Sequence, residues 1–252
     1  MVKLEVNGSD KMIKVIAHRG SKGTHPENTL SAFQEAIDVK ADGIELDVQL
    51  TCDGKLVVIH DEKLNRTTNA KGWVKDLTLA EIKELDAGSW FAEEYKDTRV
   101  PTLEEVLNLL KHNRFSGLLN IELKTDRVEY LGIEQKVLRA LEQADLSCTV
   151  VLSSFNRDTV RRLKALDDTY ETAFISFGNQ RDVAWLDKQR GINSFHPDIR
   201  WLKRHMDQTT DIETIRPWTV NKEADMQFCM KHHLAGMFTD FPKKALEVRD
   251  NG

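Results

Sequence analysis

The sequence has little cysteine, no long apolar run and no surplus of positive charge, and each shortage removes a class of protein. Its three cysteines, Cys52, Cys148 and Cys229, are odd in number and widely spaced, with no Cys-x-x-Cys pair. They read as reduced thiols of a reducing compartment rather than a disulfide framework. No apolar stretch reaches the roughly 18 residues of a transmembrane helix, and no secretory signal opens the chain. The expectation is a cytoplasmic protein without stable membrane insertion. The net charge of −5 argues against a general nucleic-acid surface, so any bound phosphate must be held by local positive charge. A Gly-x-Gly-x-x-Gly turn is also missing after the first strand-like run, which disfavours an open doubly wound sheet.

What is present is the composition of a globular protein: 252 residues, 40% apolar and 31% charged. That length suits one large core, and α/β barrels commonly reach it as a single domain. Residues 1–11 fit poorly with the pattern of the remaining chain and are expected to be a tag or short extension, leaving 12–252 as the domain. From Val15 onward, strand-like and helix-like patterns alternate. Residues 29–39 carry Leu30, Phe33, Ala36 and Ile37 at helical spacing, and Gly43–Leu50 alternates as a strand. Thr102-x-x-Glu105 is a capping box before Leu103, Val106, Leu107 and Leu110, and Asn156 caps a helix over 157–166. Further strands are expected at 118–123, 149–153, 172–177, 192–196, 215–220 and 236–239, with helical patterns between them. Repeated β-then-α units imply parallel strands.

One segment breaks the alternation. Leu56–His60 follows Gly43–Leu50 with only Asp53-Gly54 at the turn, which leaves no room for a crossover helix and predicts an antiparallel return strand. Centring the turn on Asp53-Gly54 sets Asp47 opposite His60. Leaving this strand aside, eight parallel strands remain, and eight is a closed (β/α)8 TIM barrel.

The barrel turns the polar residues into geometry. Glu45 and Asp47 are two apart on one strand and face together, as do Glu122 and Lys124, all near strand C-termini where barrel enzymes place their active sites. Ile44, Leu46 and Val48 then face the helices. Three converging carboxylates repel one another without a cation, so Glu45, Asp47 and Glu122 are candidate ligands for Mg²⁺ or Ca²⁺. Zinc is disfavoured because no His or Cys cluster has ligand spacing. His18, Arg19 and His60 lie in the same region. Carboxylates for a hard metal, a fixed cation for phosphate and imidazoles to move protons are the inventory of phosphate-ester chemistry. His196, His205, His232 and His233 are better read as structural.

The chain resembles the glycerophosphodiester phosphodiesterase family. The matching elements are His18-Arg19-Gly20, Pro26-Glu27-Asn28-Thr29, Glu45-Leu46-Asp47-Val48, Asp53-Gly54, His60-Asp61 and Arg66-Thr67-Thr68. They continue with Pro101-Thr102-Leu103, Asn120-Ile121-Glu122-Leu123-Lys124 and Trp218-Thr219-Val220-Asn221. The match is dense over 16–125 and thinner to about 242, with departures at His196-Pro197-Asp198 and Arg200–Glu213. The resemblance implies a phospholipase-C-like barrel that hydrolyses small glycerophosphodiesters to glycerol 3-phosphate and an alcohol with a divalent metal. It makes His18 and His60 the acid/base pair, with His18 the acid and His60 the base. It makes Arg19 and Lys124 phosphate contacts and Glu45, Asp47 and Glu122 metal ligands. Residues 61–101 become a small insertion at the barrel mouth, holding the capping box Thr78-x-x-Glu81 and the aromatics Trp73, Trp90 and Phe91. Trp218 is either barrel packing or a wall for the glycerol or alcohol group. The expected partner is a small-molecule substrate, with the protein a monomer or homodimer. Two other functions stay open: the same centre acting on lysolipids, and a non-catalytic phosphoester-binding barrel.

Overall fold

The computed structural model describes residues 12–189, 191–192, 194–209 and 214–251. The expectation for residues 1–11 lies outside them, as does the part of the 200–213 segment from 210 to 213. The strands are β1 (Lys14–Ala17), β2 (Gly43–Leu50), β3 (Leu56–Val58), β4 (Leu118–Leu123) and β5 (Thr149–Ser154). Then come β6 (Glu171–Ser176), β7 (Ser194–Pro197), β8 (Thr214–Ile215) and β9 (Gly236–Thr239). The sheet order is β8-β7-β6-β5-β4-β2-β1-β9, all parallel, with β3 antiparallel on β2. Ala235 N donates to Ile215 O at 3.1 Å, Phe238 N to Pro217 O at 3.0 Å and Val220 N to Phe238 O at 2.8 Å. These bonds draw the two ends of the sheet together into a nearly closed eight-stranded barrel. The eighth strand-like run is shorter than expected because Pro217 has no N–H for a ladder, but its carbonyl still accepts.

Helices α1 (Leu30–Asp38), α2 (Leu79–Lys83), α3 (Leu103–His112), α4 (Ile133–Ala144) and α5 (Arg157–Leu166) come first. α6 (Gln180–Leu186), α7 (Ile199–Leu202), α8 (Glu223–Lys231) and α9 (Pro242–Asp250) complete the set. Their starts are set locally. Thr29 caps α1, both capping boxes form at Thr78/Glu81 and Thr102/Glu105, and Asn156 accepts from the amides of Asp158 and Thr159. Leu103, Val106, Leu107 and Leu110 of α3 are buried against Ile44, Leu46 and Val48 of β2, each burial contributing about 1.5–3 kcal/mol. The strand interior is filled at its base by Ile16, Leu118, Val151, Ala173 and Phe238.

Two details aim the loops at the mouth. Between β2 and β3 the loop is three residues long, Cys52–Gly54, with Thr51 N donating to Lys55 O and Gly54 at φ +70°. A left-handed glycine closes such a loop, and it shifts the register by one from the expectation. Val48 pairs with Val58, so Ile59 rather than His60 lies beside Asp47. Residues 61–101 leave at the end of β3 and return beside it, where Val58 N donates to Pro101 O at 2.8 Å. They carry their own apolar cluster of Leu64, Val74, Ile82, Ala87 and Val100, packed on Val57 and Ile59. Lys83 of α2 reaches Glu105 of α3 at 2.7 Å. Among the described residues no helix is long and apolar enough to cross a membrane.

Candidate active site

The register of β2 on β4 sets Asp47 beside Glu122, with Glu45 two residues earlier on the same face. A one-residue slip would turn Glu122 to the helices. Ligand oxygens of Glu45, Asp47 and Glu122 all lie within 4.8 Å of one another, and all three residues are buried. Burial, then the charges of Asp47 and Glu122, pushes the Glu45 carboxyl well above its usual value, and burial raises Glu122 as well. Asp47, fully buried, is held below the carboxylate range by His60, Arg19 and Lys124 although burial opposes this. Its Oδ2 accepts from Asn28 Nδ2 at 2.8 Å while its Oδ1 has no hydrogen-bond partner among the described residues. Crowded oxygen donors, one of them an orphaned buried carboxylate oxygen, fit a hard divalent cation.

His18 and Arg19 follow β1. Gly20, at φ +76°, lets this turn press on α1, since a Cβ there would sit 2.6 Å from the Ala32 carbonyl carbon. Arg19 itself is left-handed at φ 54°, and its amide donates to Glu45 Oε2 at 2.7 Å. Its guanidinium donates to Glu27 Oε1 at 2.8 Å and passes 3.3 Å from Asp47 Oδ2. His18 Nδ1 bonds Asp240 Oδ1 at 2.7 Å. Asn221 holds Asp240 from both sides: its Nδ2 donates to Oδ2 at 2.7 Å and its Oδ1 takes the Asp240 N–H at 2.9 Å. Burial and Arg19 outweigh Asp240 and lower the His18 imidazole to about 4; opposed by burial, His18 holds Asp240 down at about 2. An ionised carboxylate only accepts, so His18 carries its proton on Nδ1.

His60 is arranged the same way. Its Nδ1 bonds Asp61 Oδ1 at 2.6 Å, and its Nε2 lies 3.3 Å from Lys124 Nζ. Lys124 also donates to Glu122 Oε1 at 2.7 Å; burial works against its charge, but Glu122 and Asp47 raise its pKa. Because an ammonium only donates, Nε2 is the acceptor and Nδ1–H faces Asp61. Gln49 Nε2 steadies this stretch through the carbonyls of Ile59, His60 and Asp61 at 2.9–3.0 Å.

His18, Arg19, Glu45, His60, Glu122, Lys124 and Trp218 line one cavity of about 630 Å³, with Asp47 just behind the lining. All eight residues singled out in the sequence thus come together. Trp218 forms edge-on contacts with Phe155 and Phe177 at 5.5 and 5.2 Å between centroids, giving one apolar wall. Trp73 and Phe177 stand at the mouth, 37% and 68% exposed. Asp240, Phe155 and Phe177 are not singled out by sequence and Asn221 enters only as the last residue of a matching element, although a polar Asp240 just past a strand end is the kind of signal that marks a barrel site. His196, read as structural, lies in the cavity lining, with its Nδ1 unpartnered among the described residues and its basicity suppressed by burial and Arg216. His205, His232 and His233 are not part of the lining.

Residues 18–244 match the model of the glycerophosphoryl diester phosphodiesterase family. A glycerophosphodiester phosphodiesterase of Bacillus altitudinis is 42% identical over 247 residues, covering 95% of this chain and 99% of that protein. One from Caldanaerobacter subterraneus subsp. tengcongensis is 39% identical, covering 94% and 98%. Among solved structures, an Oleispira antarctica phosphodiesterase in complex with the product sn-glycerol-3-phosphate superposes with a TM-score of 0.82. It is 30% identical and covers 95% of this chain and 97% of its own.

Proposed function

The chain belongs to the glycerophosphoryl diester phosphodiesterase family, and from that premise we propose that it hydrolyses small glycerophosphodiesters to glycerol 3-phosphate and an alcohol. His18 and His60 move the protons, and Glu45, Asp47 and Glu122 hold a divalent cation, Mg²⁺ or Ca²⁺. The observation that carries this reading is the convergence of both imidazoles, both cations and the carboxylate trio on one cavity. The product complex of the Oleispira antarctica relative supports the substrate class. The three cysteines are free thiols, which supports a cytoplasmic setting.

When bound, the cation supplies Lewis-acid polarisation and charge neutralisation at the phosphoryl group. Arg19 and Lys124 contact the remaining phosphoryl oxygens and offset the charge that builds in the transition state. His60, with Nδ1–H on Asp61 and a lone pair on Nε2, takes a proton from the nucleophile. The nucleophile is the glycerol hydroxyl next to the ester, which forms a cyclic phosphate as the alcohol leaves; water then opens the ring with the two imidazoles exchanging roles, His18 taking a proton from water and His60 returning one to the glycerol oxygen. His18, with Nδ1–H on Asp240, presents Nε2 to the departing alkoxide; a phosphodiester anion beside it favours the imidazolium that an acid needs. Phe155, Phe177 and Trp218 form the wall for the substrate's carbon skeleton.

An assay coupled to glycerol 3-phosphate detection, run over a panel of glycerophosphodiesters with and without chelator, tests the reading. Release that stops in chelator and returns with Mg²⁺ or Ca²⁺ is the expected result. Tight binding without turnover would replace it with a phosphoester-binding barrel. The exposed rings of Trp73 and Phe177 favour one further arm: release from lysolipid dispersions alone would move the substrate class to lysolipids.

A further inference from the structure

Arg66 is absent from the cavity lining and its side chain is 42% exposed, yet it is among the most heavily bonded groups near the site. Its Nη1 and Nη2 donate to Glu27 Oε2 and Oε1, both at 2.7 Å. Its Nε and Nη2 donate to Asp61 Oδ2 and Oδ1 at 2.8 and 2.9 Å. One guanidinium therefore grips two carboxylates, each through both oxygens. Those two carboxylates are the ones that hold the site's side chains: Glu27 Oε1 takes Arg19 Nη1, and Asp61 Oδ1 takes His60 Nδ1. The result is an unbroken chain, Arg19–Glu27–Arg66–Asp61–His60.

Each link has a physical reason to need Arg66. Glu27 is buried, and burial alone would raise its carboxyl; the arginines Arg66 and Arg19 hold it down at about 2. Without Arg66, Glu27 would keep Arg19 as its one salt-bridge partner among the described residues, and the buried carboxylate would pull harder on it. Asp61 is 29% exposed on its side chain, so water competes for its oxygens, and the fork of Arg66 holds Oδ1 toward His60. The backbone under Arg66 is itself fixed, because Leu64 is fully buried and Thr68 donates to the Leu64 carbonyl through both N and Oγ1.

We propose that Arg66 is a positioning residue whose bidentate bridge between Glu27 and Asp61 couples the orientation of the phosphate-binding Arg19 to that of the proton-transferring His60. This inference rests on the roles proposed above for those two side chains. A planar fork is required: an ammonium at this place has the charge but cannot span four acceptor oxygens.

The test is steady-state kinetics of the cation-loaded enzyme on a glycerophosphodiester, for Arg66→Ala and Arg66→Lys in wild-type and His60→Ala backgrounds. Arg66→Ala is expected to lower kcat roughly 10- to 100-fold, the usual effect of losing an orienting partner, and to raise KM through Arg19. Arg66→Lys should recover less than half of that loss. Millimolar guanidinium should restore part of the Arg66→Ala activity, since the side chain it replaces is partly open to solvent. On the His60→Ala background the kcat effect should shrink at least ~three-fold, because one of the two groups that Arg66 positions is gone and only the path through Arg19 remains. A purely structural Arg66 would give the same loss on both backgrounds and no rescue, and that pattern overturns the proposal. So does full recovery by lysine, or wild-type kcat in both Arg66 variants while His60→Ala is inactive, which would leave the His60 assignment standing. If His60→Ala kept full activity, the His60 role and this coupling would fall together.

Discussion

Asparagine in place of Asp240 alters one charge at nearly constant shape, and the local hydrogen bonds dictate its effect. Both carboxylate oxygens of Asp240 accept, from His18 Nδ1 and from Asn221 Nδ2, each at 2.7 Å. Asn221 is fixed by the backbone N–H at position 240, which it accepts at 2.9 Å, so its Nδ2 keeps facing the substituted side chain. An amide has only one acceptor oxygen and must give it to Asn221, which turns its NH₂ toward His18. Nδ1 then has to accept, and the imidazole proton moves to Nε2, the nitrogen left for the substrate. The negative charge that stabilises an imidazolium is lost with it. A hydrogen bond to a charged group is worth about 1.5–3 kcal/mol, which at ~1.4 kcal/mol per ten-fold is roughly 10- to 150-fold in kcat. The wrong tautomer adds to that, so the expected loss is about 10²- to 10³-fold. KM should stay within a few-fold because Arg19 and Lys124 are untouched. Turnover of a glycerophosphodiester, together with ¹⁵N spectra of His18 to read the tautomer, decides the matter. A kcat within three-fold of wild type, or an imidazole that keeps its proton on Nδ1, would refute the reasoning.

The Glu45 and Glu122 carboxyls are raised by burial and, at Glu45, by their mutual repulsion with Asp47. Cation binding should therefore expel protons and tighten as pH rises, with calorimetry in two buffers of different ionisation enthalpy counting them; binding without proton release would contradict it. Glu45→Ala should abolish cation binding while the protein still melts cooperatively. In the cation-free protein, His18 titrates at about 4 folded against 6.5 in the unfolded chain, so the unfolded chain binds the extra proton first. The associated stability is complete above pH ~6.5 and is lost as pH falls toward 4, up to about 3 kcal/mol. Denaturant melts across that range should show this slope in the wild type and lose it in His18→Ala; equal slopes would argue against it. A glycerophosphodiester analogue with hydrogen in place of the hydroxyl next to the ester should bind, yet turn over at least ~10²-fold more slowly. Equal rates would mean that water attacks phosphorus directly and that His60 acts on it.

The parts of this molecule legible in the sequence are those that depend on neighbours along the chain. Capping at Thr102 and Asn156, the shared face of Glu45 and Asp47, and the return strand after Asp53-Gly54 each involve a few residues of backbone. The register slip at that hairpin marks where local reading stops. A two-residue and a three-residue loop share the same Asp-Gly signal, and only the Thr51–Lys55 pairing, with Gly54 left-handed, separates them. His60 and His18 make the same contrast within the site. The carboxylate on His60 is the next residue, Asp61, whereas the carboxylate on His18 is Asp240, 222 positions away. No spacing rule joins those two, and a polar residue just past a strand end does not say which imidazole it serves. What joins them is closure of the barrel. Phe238 N on Pro217 O and Val220 N on Phe238 O carry Asn221 to the side of Asp240, and His18 N on Thr239 O brings β1 to the same edge. The His60 half of the site is thus written into β2, β3 and β4. The His18 half acquires its carboxylate only once β9 has docked between β1 and the chain after β8, so the final strand of the barrel completes the site as well as the sheet.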